Sequence, residues 1–214
     1  MGESATKSTI MKRSELLSLV CVLTLTTPQS RAGTVISNIG ASNTGFTQVA
    51  NDVWDAVKFT TDDQPYFLNS VTLSVEAYNS GGAFSVNIFA DGAGGPGNLL
   101  SGGHLTGPNP GSRGSYTYSA TSPLELMPNT SYDLVVYDAG PGYGQFLWRL
   151  GAAPAAGTWA FSTSYQKLLP YAWSEDAFIY PIFAIDATPL PEPSSLLVLG
   201  MGAMMVCLHG QRKR

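Results

Sequence analysis

Two stretches, "SVTLSVEAY" (70–78) and "AFSVNIFA" (83–90), alternate apolar and polar side chains with a period of two. Val71, Leu73, Val75 and Ala77 share one face of the first, with Thr72, Ser74, Glu76 and Tyr78 on the other. Phe84, Val86 and Ile88 repeat the pattern in the second. That period belongs to strands with one face buried and one solvated, which is the habit of antiparallel sheet. Asn79-Ser80-Gly81-Gly82 between them predicts a hairpin loop.

The same text continues along the chain. "TVISN" (34–38), "DAVKFT" (55–60), "GSYTYSA" (114–120), "SYDLVVYDA" (131–139), "GQFLWRL" (144–150), "TWAFSTSY" (158–165) and "FIYPIFAID" (178–186) each read as a strand. Pro181 inside the last run implies an edge or a bulge there. "LELMPNTSYDLVVY" (124–137) reads as strand, tight Pro-Asn turn, strand, and "DGAGGPGNLLSGG" (91–103) predicts an exposed loop. No 12-residue stretch of the body carries a helical apolar stripe. Roughly nine short strands predict an all-β fold, an antiparallel β-sandwich of jelly-roll type. Composition agrees: 23 Gly, 14 Pro and only 12 % charged residues serve turns and short strands better than long helices.

Charge and cysteine then exclude several functions. Between 33 and 190 the cations Lys58, Arg113, Arg149 and Lys167 face twelve carboxylates, a net of −8. No basic patch exists to displace counterions from phosphates, so nucleic acid is not a partner. Cys21 and Cys207 both lie in terminal apolar runs, so the body has no disulfide and no Cys-ligated metal.

The ends read as addresses. Lys12-Arg13, then "LLSLVCVLTL" (16–25), then "TTPQSRA" have the order of a secretory signal helix. Ser30 and Ala32 supply the small side chains that signal peptidase needs, so cleavage is expected after Ala32, following Sec-type export. The polar residues 1–10 are unusual ahead of such a signal, which makes Met11 as well as Met1 a candidate start. At the other end, Leu196–Leu208 is apolar or small throughout. As a helix it is about 20 Å long, against a hydrocarbon core of roughly 30 Å. Arg212, Lys213 and Arg214 would stay on the cytoplasmic side and stall translocation. Pro191-Glu192-Pro193 just before it is an extended strip, because each Pro disfavours helix. Proteases and transpeptidases bind extended backbone.

Pro191-Glu192-Pro193, Ser194-Ser195-Leu196-Leu197, a Gly-containing apolar helix and a terminal basic cluster resemble the PEP-CTERM sorting signal of Gram-negative bacteria that make exopolysaccharide. The same segment goes under the description ice-binding-protein C-terminal domain, which implies no ice binding. The resemblance implies processing near Pro193 by exosortase, a membrane transpeptidase. It implies a product tethered briefly at the inner membrane and then placed on the cell surface, in the outer envelope or in the extracellular matrix. Leu190-Pro191-Glu192-Pro193-Ser194 lacks the Thr-Gly of a sortase signal, and the terminal cations contradict a GPI signal. In the body, "IFADGAGGPGNLL" and "LMPNTSYDLVVY" resemble the choice-of-anchor domains, type R in particular. That resemblance implies a surface-displayed sandwich and brings no site residues. The chain then divides into a signal peptide (1–32), a β-sandwich domain (33–187) and a sorting signal (188–214).

Chemistry is sparse. His104 is the only histidine of the body and no Gly-x-Ser-x-Gly accompanies it, so a Ser-His-Asp system is not expected. One His cannot build a zinc site, and no other cofactor is implied. Asp62, Asp63 and Asp91 are candidate calcium ligands, although no Asp-x-Asp-x-Asp spacing is present. Nothing singles out a carboxylate pair for glycoside hydrolysis. The expectation is a non-catalytic exported protein. The alternative is a carbohydrate-binding or adhesin module stacking sugars, exopolysaccharide included, on exposed rings. Tyr116 and Tyr118, on one face of one strand, and Trp173 are its candidates.

Overall fold

The computed structural model describes residues 32–79, 82–141, 145–155, 157–176 and 179–190. The signal segment through Arg31, Ser30 included, and the sorting segment from Pro191, with its motif, apolar run and basic end, lie outside the described residues. Twelve strands are present among the described residues. They are β1 (Gly33–Ser37), β2 (Gly45–Ala50), β3 (Val53–Thr60), β4 (Tyr66–Asn79), β5 (Phe84–Gly92), β6 (Gly95–Thr106), β7 (Gly114–Leu126), β8 (Ser131–Asp138), β9 (Gln145–Leu150), β10 (Ala160–Leu168), β11 (Trp173–Glu175) and β12 (Phe183–Pro189).

Every pairing is antiparallel. The order is β1-β12-β4-β7-β6-β5-β8-β3-β10-β11, with β9 on the far half of β4 and β2 on β9. The long strand β4 holds this together: β7 takes one side, while β12 and β9 share the other end to end. Pro181 sits at that junction, ahead of β12, making only an isolated bridge to Leu150. Its missing N–H therefore costs no ladder bond.

The sheet curls. Ile185 near one end of the order and Phe59 near the other belong to a single core, with Val71, Val86, Leu134, Trp148 and Trp159. The inward residues expected in β4 and β5 do point there: Val71, Leu73, Val75, Val86 and Ile88 are fully buried. Ring contacts tie the layers, Phe59 stacking on Trp159 at 5.4 Å and Tyr66 meeting that indole edge-on at 5.2 Å.

Three expectations are corrected. The Asn79–Gly82 segment does not close a hairpin, because β4 and β5 are not neighbours. Both sides of each strand are taken by other partners, and the connection instead carries the chain from one part of the curled sheet to another. Residues 91–103 are not a loop but the turn and first part of the β5–β6 hairpin, with Gly92 opposite Gly95. Its glycines serve close backbone approach. A Cβ on Gly103 would lie 2.4 Å from the Ile88 carbonyl oxygen, which no other residue tolerates. Three short or atypical strands, β2, β6 and β11, join the nine read from the sequence. The Pro128-Asn129 turn is as expected, with Asn129 in the left-handed region at φ 49°.

Candidate functional site

Titratable and aromatic groups concentrate on the outer face of β5, β8, β3, β10 and β11. Register fixes how they line up. Lys58 of β3 faces Asp133 of β8 and Thr163 of β10. Ala56 faces Val135 and Tyr165, and Lys167 lies between Trp54 and Trp173. Odd and even positions leave a strand on opposite sides, so these rows share one face while Val57, Phe59, Leu134 and Val136 fill the core behind them.

This face is covered. Ala56, Val135 and Tyr165 form a second apolar cluster, with Trp54, Phe89, Tyr137 and Trp173 packed against it. Trp54 stacks on Tyr137 at 4.3 Å and meets Trp173 at 6.4 Å. The Lys167 ammonium lies 5.7 Å from the Trp54 ring centre and 5.6 Å from that of Trp173, within cation–π range of both. The Trp173 side chain lies against Gly95, where a Cβ would come within 2.6 Å of it. The tip of the β5–β6 hairpin thus folds back over the face and is clamped by β11.

Charged groups sit under and beside that cover: Asp133 is enclosed, Lys58 is half-buried and Asp91 is exposed. Lys58 Nζ donates to Asp91 Oδ1 at 2.6 Å. Asp133 is completely buried, and neither of its carboxylate oxygens has a hydrogen-bond partner. Burial pushes its carboxyl up to about 7; the Lys58 charge pulls the other way and the Asp91 charge adds to the rise. A second buried carboxyl, Asp55, lies on the core side of β3. Burial raises it to about 7 as well, although Thr47 Oγ1 and Gln166 Nε2 donate to it at 3.0 and 3.2 Å. Asn87, also buried, accepts or donates at both ends of a short chain. Its Nδ2 donates to Ser85 Oγ at 3.0 Å, and its Oδ1 meets His104 Nδ1 at 2.9 Å.

The candidates named from sequence fare differently. Tyr118 is 1 % exposed and belongs to the core, so it cannot stack on a sugar. Inward alternation along β7 puts it there. Tyr116, on the same face, is half-buried against that core, and its hydroxyl donates to the Ser112 carbonyl. Trp173 is on the outer face as part of the cluster above. The three rings named together therefore do not form one surface. Asp91 is ion-paired to Lys58. Asp62 accepts from Gln64 N and from the Tyr66 hydroxyl, which makes it a turn residue. Among the described residues, no three His, Cys, Asp or Glu side chains converge as a metal would need. His104 is exposed and contacts Asn87, with no Ser-His-Asp geometry.

Lys58, Asp133 and Asp55 were missed. The signal was present: "DAVKFT" and "SYDLVVYDA" put Lys58 and Asp133 in polar slots of otherwise apolar strands. A period-two pattern alone assigns such slots to solvent, whereas the β5–β6 hairpin leaves Lys58 half-buried and Asp133 completely so.

The chain matches no protein-family model, no curated protein and no solved structure.

Proposed function

We propose that the protein is a non-catalytic exported protein, sorted by its C-terminal segment to the cell envelope or an exopolysaccharide matrix. The observation that carries this reading is the order Pro191-Glu192-Pro193, apolar run, Arg212-Lys213-Arg214, behind an N-terminal signal ending at Ser30-Arg31-Ala32. Export machinery, signal peptidase and an exosortase-type membrane transpeptidase are the partners it implies. The body between these ends is an all-β unit. β12 ends at Pro189, and Leu190 N still donates to the Pro65 carbonyl at 2.8 Å. The strip therefore follows the folded sheet in sequence without a spacer. On the same reading, the curled sheet is a β-sandwich of jelly-roll type.

Intact mass and fractionation of the expressed protein test this. Loss of the C-terminal segment in a strain holding the sorting enzyme, and retention in its absence, is expected. Alanines at Pro191, Glu192 and Pro193 that leave the mature C-terminus and destination unchanged would sink it.

A second reading, a carbohydrate-binding or adhesin module, draws on the outer face. Trp54, Trp173 and Lys167 lie beside the exposed turn that carries Tyr171, which is 68 % exposed. Rings beside a hydrogen-bonding ammonium suit stacking on a neutral sugar. Glycan retention that survives Trp173→Ala with Tyr171→Ala would refute it.

A further inference from the structure

Lys58, Asp133 and Asp91 form a stack that an ordinary ion pair leaves unexplained. Lys58 on β3 is in register with Asp133 on β8, and Asp133 with Phe89 on β5. Asp91 follows Phe89 across a bulge that re-aims it. To meet Asp91, the Lys58 side chain must span β8, passing over Asp133. The nitrogen and the carboxylate oxygen come to 2.6 Å. Asp133, directly in the intervening strand, has both oxygens buried and without a hydrogen bond. A buried carboxyl in that state costs free energy and stabilises nothing as it stands.

We propose that Lys58 and Asp91 condense into an intramolecular amide that ties β3 to β5 across β8, with Asp133 relaying the protons. The step balances without any co-reactant. The Lys58 ammonium first passes a proton to the Asp91 carboxylate within the contact. The neutral Nζ then attacks Asp91 Cγ, forming the new N–C bond. Asp133, whose oxygens meet no hydrogen-bonding partner as the fold stands, must turn toward the pair; it then gives its proton to the oxyanion that develops and takes one from the attacking nitrogen. It then shuttles a proton between the two hydroxyls, the Cγ–O bond breaks, and that oxygen leaves as water. Ammonium plus carboxylate become amide plus water, and Asp133 ends protonated as it began.

Two features favour this. Nucleophile and electrophile are held in contact by two strands, which supplies the proximity an intermolecular condensation lacks. A carboxyl raised to about 7 by burial holds a proton at neutral pH and exchanges it readily. One feature opposes it. Burial works against the Lys58 charge, but its bonds to Asp91 and Tyr165 outweigh that and hold the ammonium above the ordinary lysine range. The pair therefore starts as ions, and the opening proton transfer sets the pace. This inference stands apart from the sorting reading.

Peptide mapping of the exported protein, purified from cells making the full chain, decides it. After denaturation and trypsin, the wild-type segment ending at Arg113 is expected to remain joined across Lys58 and to be lighter by about 18 Da, one water. Fragment ions should place the loss between Lys58 and Asp91. Ordinary cleavage after Lys58 with unshifted masses overturns the proposal, and needs no variant. Lys58→Arg keeps the charge and should abolish the shift. Asp133→Asn should slow its appearance by about 100-fold or more, the usual worth of a positioned proton relay. A cross-link forming at the wild-type rate in Asp133→Asn would remove Asp133 from the mechanism.

Discussion

The two faces of β3, β8 and β5 share a backbone and differ in everything else. The inner face presents Val57, Phe59, Leu134, Val136, Val86 and Ile88, all completely buried and all apolar. The outer face presents Trp54, Lys58, Asp133, Tyr137 and Asn87, mixed in chemistry, yet Asp133 and Asn87 are as inaccessible as the core. On the inner side burial follows from curling of the sheet. On the outer side it follows from one glycine-rich hairpin held against Trp173, which comes from the three-residue edge strand β11. The two faces are thus closed by different devices and to different degrees: Trp54, Lys58 and Tyr137 stay partly exposed outside, yet each face holds one buried carboxyl, Asp55 within and Asp133 without.

Substitutions can break that contrast. The largest effect is expected inside: Phe59→Ala should cost about 3–5 kcal/mol in chemical denaturation, since it removes a ring stacked on Trp159 and leaves a cavity. A loss below about 1 kcal/mol would mean that the core is not one unit.

Next comes pH. Asp133 outside and Asp55 inside both have folded-state values of about 7, against an ordinary value of 3.8. The folded protein therefore binds more protons than the unfolded chain between those values. Stability is fully present below about pH 4 as far as these groups are concerned, and falls as pH rises through 7. Each group can contribute on the order of 2–4 kcal/mol to that fall, by the linkage between shift and stability. Denaturation midpoints at pH 5 and pH 8 should show it, and Asp55→Asn should remove the inner share alone. A midpoint that rises from pH 5 to pH 8 would contradict both assignments.

Smaller still, Gly95→Ala should cost about 1–3 kcal/mol. Its φ of 139° disfavours a side chain, and the new Cβ would meet Trp173. It should also open the outer face, speeding amide exchange in β8 at residues beside Asp133 while the core stays protected. Smallest, Tyr171→Ala should change stability by less than about 0.5 kcal/mol, because the ring is mostly in solvent. Any larger loss would show that the β10–β11 turn helps to hold the cover down.

Much of this fold was legible in the residues, for a physical reason. Val71, Leu73 and Val75 alternate because one side of β4 faces the core, and that pattern survives whatever the topology. Pairing did not follow from it. Nothing local in Asn79–Gly82 tells a hairpin from a crossing between parts of a curled sheet, because both need the same permissive turn residues. Residues 91–103 misled for a related reason: glycine signals backbone freedom in a loop and close approach in a packed hairpin alike. The outer site was hidden by the same ambiguity. Lys58 and Asp133 look solvated until it is known that Gly95 and Trp173 close over them.

The position of β12 carries one more consequence. It enters between β1 and β4, and among the described residues it is the only sheet neighbour of β1. The first strand to emerge during synthesis must therefore wait, with Val35 and Ile36 uncovered, for nearly the whole domain to follow it. β12 is the keystone, so chains cut anywhere before Phe183 should present to proteases the two raw edges that it covers in the finished protein.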